Sequence, residues 1–137
     1  MKSILWFALG LLLTITACKK DEGSSTNCMK LEGTWVGTSW KEDDEQFFGD
    51  SIYIISNFLE FKKLDGTQGD VDWKITYTLG GLVDVIGSYS VNESCDEVII
   101  TPKSGAGTTY AFTINGDKLT LESHDYNVHV AQEYVRQ

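Results

Sequence analysis

Residues 70–91 read DVDWKITYTLGGLVDVIGSYSV. The period of this stretch is two. Val71, Trp73, Ile75, Tyr77 and Leu79 fall on one face, and Asp70, Asp72, Lys74, Thr76 and Thr78 on the other. A helix would scatter these residues around its axis, whereas a strand sends successive side chains to opposite sides. The first half is therefore a strand with one buried face. Val83, Val85, Tyr89 and Val91 repeat the alternation, with Gly87 between them as a bend point. Gly80-Gly81 joins the two runs as a two-residue hairpin signal.

The same period extends outward in both directions. Strands are predicted over 32–40 and 52–62 before this hairpin, with Asp65-Gly66-Thr67 as a turn. After it come 96–101, 108–114, 118–123 and 127–136. Gly105-Ala106-Gly107 separates the fifth and sixth strands, Asn115-Gly116 turns the sixth into the seventh, and Pro102 sits at a strand end where its missing N–H does least harm. No stretch after residue 30 keeps apolar residues at helical spacing for three turns, so no helix is expected in the body. Eight antiparallel strands with short connections read as an up-and-down meander. Closing it into a barrel removes exposed edges, and the interior of such a barrel holds side chains or one small ligand. A two-sheet sandwich is the alternative architecture.

The first 27 residues are of another kind. Residues 4–15, ILWFALGLLLTI, form an apolar run of 12 behind Lys2, too short for a membrane-spanning helix, which needs about 20 residues. A charged start, a short apolar middle and small residues before a cut site describe a secretory signal. Ile15-Thr16-Ala17-Cys18 resembles the bacterial lipobox, and that resemblance implies removal of residues 1–17 and acylation of Cys18. An ordinary signal peptide, with Cys18 a plain thiol, is the alternative. One acyl chain holds a protein to a membrane only marginally, but several hold it stably. Lys19-Lys20-Asp21-Glu22 resembles the export signal that sends some Gram-negative lipoproteins to the outer face of the outer membrane, the other location being periplasm-facing. The expected organisation is a signal peptide over 1–17, a lipidated Cys and polar tether over 18–27 and a barrel domain over 28–137.

The formal net charge of −9 disfavours nucleic acid and anionic lipid head groups as partners. No basic cluster interleaves with aromatics. With Cys18 spent on lipid, Cys28 and Cys95 remain as a pair in an exported, oxidising compartment, and a disulfide between them is expected. Two separate thiols would be the other outcome.

Four pieces point to a family: LEGTWVGTSW at 31–40, LEFKKLDGT at 59–67, YAFTINGDKLTLES at 110–123 and EYVRQ at 133–137. Gly33-Thr34-Trp35 resembles the G-x-W element on the first strand of lipocalins and related calycin barrels, and the other pieces resemble the second strand and turn, the penultimate hairpin and the closing strand of bacterial lipocalin-like lipoproteins. The resemblance implies that Gly33 and Trp35 close one end of the barrel. It departs from the lipocalin pattern in lacking a helix after the last strand.

Within that frame Trp73, Tyr77, Tyr89, Tyr110 and Phe112 lie on inward faces, where they line a cavity or fill a core. The connection KEDDEQFFGD, 41–50, is expected at the barrel mouth, with Phe47 and Phe48 as an apolar lid and Glu42, Asp43, Asp44, Glu45 and Asp50 as a solvated acidic loop. Its order does not match a calcium loop. His124 and His129 flank the last hairpin beside Asp125, without an evident third zinc ligand. No nucleophile is marked by a base, and no Gly-rich loop opens a helix. The sequence thus points to a non-enzyme without a cofactor, anchored to a membrane and binding a small apolar ligand in its barrel. The alternative is a protein-binding module, a hydrolase inhibitor or a subunit of an outer-membrane complex, that works through its loops around a packed interior.

Overall fold

A computed structural model describes residues 28–48, 53–125 and 127–137 of the chain. Nine strands lie in one antiparallel sheet: β1 Gly33–Glu42, β2 Glu45–Gln46, β3 Ile54–Phe61, β4 Gln68–Tyr77, β5 Leu82–Val91, β6 Glu97–Pro102, β7 Thr108–Asn115, β8 Lys118–Asp125 and β9 Val128–Arg136. Neighbours in sequence are neighbours in space from β3 to β9, and β1 pairs with both β3 and β9. The wall is therefore a closed barrel of eight strands, as the meander reading expects. The ninth, β2, is a two-residue flap on β1 that the sequence reading treats as loop.

The leading hairpin folds as its alternation requires. Val71, Trp73 and Ile75 are buried, as are Gly87, Tyr89 and Val91. Toward the hairpin tip the buried face runs out, against the expectation: Val83 is 41% exposed and Leu79 99%. The turn is longer than Gly80-Gly81 alone, because Thr76 pairs with Leu82 and the Tyr77 N–H donates to the Gly81 carbonyl at 2.8 Å. Gly80 supplies the positive φ inside that loop, at 80°. The β7–β8 turn is also shifted by one residue from the Asn115-Gly116 expectation. Asn115 pairs with Lys118, so Gly116-Asp117 is the loop, with positive φ at Gly116 only, the pattern of a II′ turn.

Two further departures concern the N-terminal part. Residues 28–31 form a single helical turn, where no helix is expected. And β1 runs on to Glu42, paired with β9 to its end, past a bulge at Thr38: Gly37 pairs with Tyr134, but Ser39 pairs with Glu133. Such a bulge shifts the alternation by one. Trp35 and Gly37 face the interior before it, and Trp40 and Glu42 oppose Gln132 and Val130 after it.

The two ends of the barrel differ. At one end lie the start of β1 and the β3–β4, β5–β6 and β7–β8 connections. Here Leu31, Trp35, Phe61, Tyr89 and Leu119 are almost completely buried. The Trp35 indole N–H donates to the Leu31 carbonyl at 2.8 Å, and the Arg136 guanidinium stacks 4.2 Å from the ring centroid while donating to the Glu32 and Lys30 carbonyls. Cys28 and Cys95 form a disulfide, with Cα atoms 5.1 Å apart, that ties the helical turn to the β5–β6 connection. This is the closed end, and Trp35 plugs it. The other end, with the β4–β5, β6–β7 and β8–β9 connections and β2, is the mouth.

Candidate functional site: the mouth half of the barrel

Below the mouth the interior changes character. Asn57, Ser123 and Gln132 are buried there among strands whose other inward residues are apolar or aromatic. A buried amide costs free energy unless its hydrogen bonds are made. Those of Asn57 and of the Gln132 oxygen are made in a chain. The Trp73 indole N–H donates to Asn57 Oδ1 at 2.6 Å, Asn57 Nδ2 donates to the Tyr134 hydroxyl at 2.9 Å, and that hydroxyl donates to Gln132 Oε1 in a short contact. Gly37, across from Asn57 on β1, leaves the room: a Cβ there would stand 2.8 Å from the Asn57 Cβ. Burial drives the Tyr134 phenol far above its usual range. Tyr110 adds to the shift, while the bonds to Asn57 and Trp73 oppose it. The chain is thus a fixed set of neutral dipoles at physiological pH.

Aromatic rings surround it. Trp73 lies 6.1 Å from Trp40, centroid to centroid, and 6.0 Å from Tyr110 in an edge-to-face contact. The Trp40 indole is held by a hydrogen bond to Glu42 Oε1 at 3.0 Å. Phe47 is strapped over this region by its backbone, its N–H donating to the Trp40 carbonyl at 2.7 Å and its carbonyl accepting from the Ile54 N–H at 3.1 Å. Its ring meets Tyr53 at 5.4 Å, and Phe47, Phe48 and Tyr77 are half-buried against the core.

The structure therefore divides the residues singled out from the sequence. It gathers Trp73, Tyr77, Tyr110, Phe47 and Phe48 on the mouth side. It places Tyr89 elsewhere: the ring packs edge-on against Phe61 at 4.9 Å and its hydroxyl donates to the Lys62 carbonyl at 2.7 Å, at the closed end. Phe112 pairs with Leu121 in the body of the core. Trp40, Asn57, Gln132 and the hydroxyl of Tyr134 belong to the site and were not singled out. Asn57 and Gln132 carried a signal, since each is in phase with its strand's apolar face (Leu59 and Phe61; Val128, Val130 and Tyr134). Trp40 carried none, because the Thr38 bulge alone turns it inward.

The acidic rim is more ordered than a solvated loop. Asp43 and Asp44 both have positive φ, 46° and 70°, in the tight turn between β1 and β2. Asp43 is clamped on the β8–β9 hairpin: its Oδ1 accepts from the His129 N–H at 2.9 Å, and its own N–H donates to the His129 carbonyl at 2.9 Å. Asp50 lies outside the described residues. His124 and His129 do meet, with ring centroids 4.8 Å apart, and His129 Nε2 is 3.7 Å from Glu122 Oε2. Among the described residues no group of three or more His, Cys, Asp and Glu side chains is placed to hold a metal ion.

An eight-stranded antiparallel barrel, closed at one end by a buried tryptophan, defines a lipocalin-like class of protein. The family model for the lipocalin-like domain matches residues 31–121, and the chain belongs to that family. Among solved structures, it is similar to a de novo designed fluorescence-activating β-barrel, with a TM-score of 0.58 and 16% identity over 81% of this chain and 98% of that one. It is also similar to lobster apocrustacyanin A1, with a TM-score of 0.57 and 16% identity over 82% of this chain and 64% of that one. A third structure, EF1p2_mFAP2b bound to DFHBI, gives a TM-score of 0.54 and 15% identity over 83% and 97%. Likeness at this identity establishes the fold. No curated protein matches the chain.

Proposed function

We propose that the chain is a membrane-anchored lipocalin-like carrier that holds a small apolar ligand in the mouth half of its barrel. The observation that carries this reading is the asymmetry of the interior. The closed end is filled by Leu31, Trp35, Phe61, Tyr89 and Leu119, whereas the mouth half sets Trp40, Trp73 and Tyr110 around buried amides. Buried amides beside aromatic rings are the combination found in pockets for small molecules, which join aromatic walls to a few placed polar groups. Two of the similar structures are a fluorescence-activating barrel and a protein bound to DFHBI, which supports a barrel of this shape as a ligand holder. The test is titration of residues 28–137 with N-phenyl-1-naphthylamine, a neutral apolar fluorophore. Saturable enhancement that weakens in Trp73→Ala is expected; a silent titration together with a solid interior in a crystal structure overturns the reading.

The anchor is the other half of the proposal. Ile15-Thr16-Ala17-Cys18 and the tether 18–27 lie outside the described residues, and the sequence motif supports acylation at Cys18 in a Gram-negative outer membrane. Residue 28 emerges at the closed end, so a chain anchored through Cys18 turns its mouth away from the point of attachment. Metabolic labelling with an azide-tagged fatty acid tests this. Label and membrane fractionation should both be lost in Cys18→Ser, and an unlabelled wild type overturns the anchor.

The clamped acidic turn favours a second reading, a loop-mediated contact with a basic protein, because Asp43 and Asp44 are held in a fixed conformation. A partner recovered from membranes with the wild type and lost with Asp43→Lys and Asp44→Lys would favour it.

A further inference from the structure

The chain has two histidines, and the fold brings both to one point. His124 on β8 and His129 on β9 pair directly across the last hairpin, their rings stacked with centroids 4.8 Å apart. Leu119, Leu121 and Ser123 take the inward positions of β8, and Gln132 and Tyr134 those of β9, so Glu122, His124 and His129 stand on the outer wall. The backbone of His129 explains the closeness of the rings. Its N–H and its carbonyl are both spent on Asp43, on the β1 side, so neither is shared with His124. The two residues are thus a non-hydrogen-bonded pair, the kind whose facing side chains come nearest. The Asp43-Asp44 turn, with its two positive φ angles, is what holds His129 there.

We infer that His124 and His129 chelate one Cu2+ ion on the outer wall, beside the mouth. Two neighbouring nitrogens bound at about 2.0 Å to one metal stand about 3 Å apart. Turning the rings about their side-chain bonds closes the gap, and solvent leaves room for it: His124 is exposed, and the His129 side chain is 37% exposed. The donor set selects the metal. Zinc sites take three or four protein ligands, and the described residues place no third beside the pair. Cu2+ accepts a tetragonal set of nitrogen and oxygen ligands that water completes, and it binds a given nitrogen site more tightly than Ni2+ or Zn2+. Cys28 and Cys95 are bonded to each other at the closed end, so neither offers the soft thiolate that would favour Cu+. Charge helps: Glu122 Oε2 lies 3.7 Å from His129 Nε2, and the chain as a whole is anionic. The site lies outside the barrel and stands apart from the carrier reading.

The test is a titration of Cu2+, in a non-coordinating buffer at neutral pH, into the full-length chain carrying Cys18→Ser, which removes the third cysteine as a competing ligand. Calorimetry reads the affinity and electron paramagnetic resonance counts the nitrogens on the metal. The parent chain should bind one ion through two imidazole nitrogens, and the chain holds no other histidine to supply them. In His124→Ala and in His129→Ala the two-nitrogen signal should disappear and affinity fall about 100-fold, since two linked ligands exceed either alone by at least that factor. A parent spectrum with one imidazole or none, or an affinity that survives either substitution, overturns the inference. So does a two-nitrogen signal seen only in dimers by sedimentation, because each copy would then give one ring. Binding of Zn2+ as tight as that of Cu2+ overturns the choice of metal. If His129→Ala shows no cooperative melt, the exposed His124→Ala decides alone.

Discussion

Asn57 shows how one residue couples the stability of this barrel to its site. Its oxygen accepts from Trp73 and its nitrogen donates to Tyr134, both inside the wall. Asn57→Leu keeps the volume but strands the Trp73 N–H and removes the donor to Tyr134. Leaving one buried donor unpaired costs about 2 kcal/mol, and urea denaturation should show a loss of that order. The position was legible in the sequence as a polar residue in phase with Leu59 and Phe61, but its meaning was not. Period-two alternation says which way a side chain points, and only the assembled barrel brings Trp73, Tyr134 and Gln132 around it. A second prediction concerns Tyr89, whose phenol is pushed up to about 12, first by burial and then by the Glu32 carboxylate. Its proton stays bound in the folded state where the unfolded chain, with the ordinary phenol value of 10.0, has released it. The stabilisation is therefore complete below pH 10 and is lost as the pH rises toward 12. Melting temperature should fall across that window, and less steeply in Tyr89→Phe.

At the scale of the element, strands β5 and β6 approach through a glycine. Gly87 pairs with Pro102, and a Cβ built on it would overlap the Thr101 carbonyl oxygen. That oxygen belongs to the backbone, so no side chain can move aside. Gly87→Ala should cost about 3 kcal/mol by overpacking, read as a lower urea midpoint, and an unchanged midpoint would show that β6 gives way. Leu79→Lys, at the fully exposed tip of the same hairpin, is the control, with an expected change below about 0.5 kcal/mol. The contrast marks what alternation can reveal about an element. Gly87 was legible as an interruption of the pattern and Leu79 as its continuation, but the first is tightly packed and the second lies in the turn. Strand ends depend on which residues a partner strand engages, and Thr76 pairing with Leu82 takes Leu79 out of the sheet. The same limit hid Trp40: the Thr38 bulge is set by the register of β1 on β9, a contact between the two ends of the barrel sequence.

On the scale of the molecule, the barrel separates what stabilises it from what its mouth presents. The plug, the Arg136 stack and the Cys28–Cys95 disulfide all lie at one end, and the amide chain and the aromatic rings toward the other. That division explains why the fold was readable and the site only partly so. Gly33, Trp35 and the two cysteines act where the chain closes on itself, and closure leaves strong local patterns, whereas the site is assembled from single positions on β1, β3, β4, β7 and β9. It also yields a test. The disulfide links residues 67 apart, and in the chain-entropy account such a link stabilises by about 4 kcal/mol. For a domain of this size that corresponds to a fall in melting temperature of roughly 15 °C on reduction. Because distant sites act independently, the affinity for N-phenyl-1-naphthylamine should stay within about twofold on reduction, measured well below the new melting point. A loss of binding in a reduced protein that is still folded would mean that the closed end sets the geometry of the mouth through the strands between them.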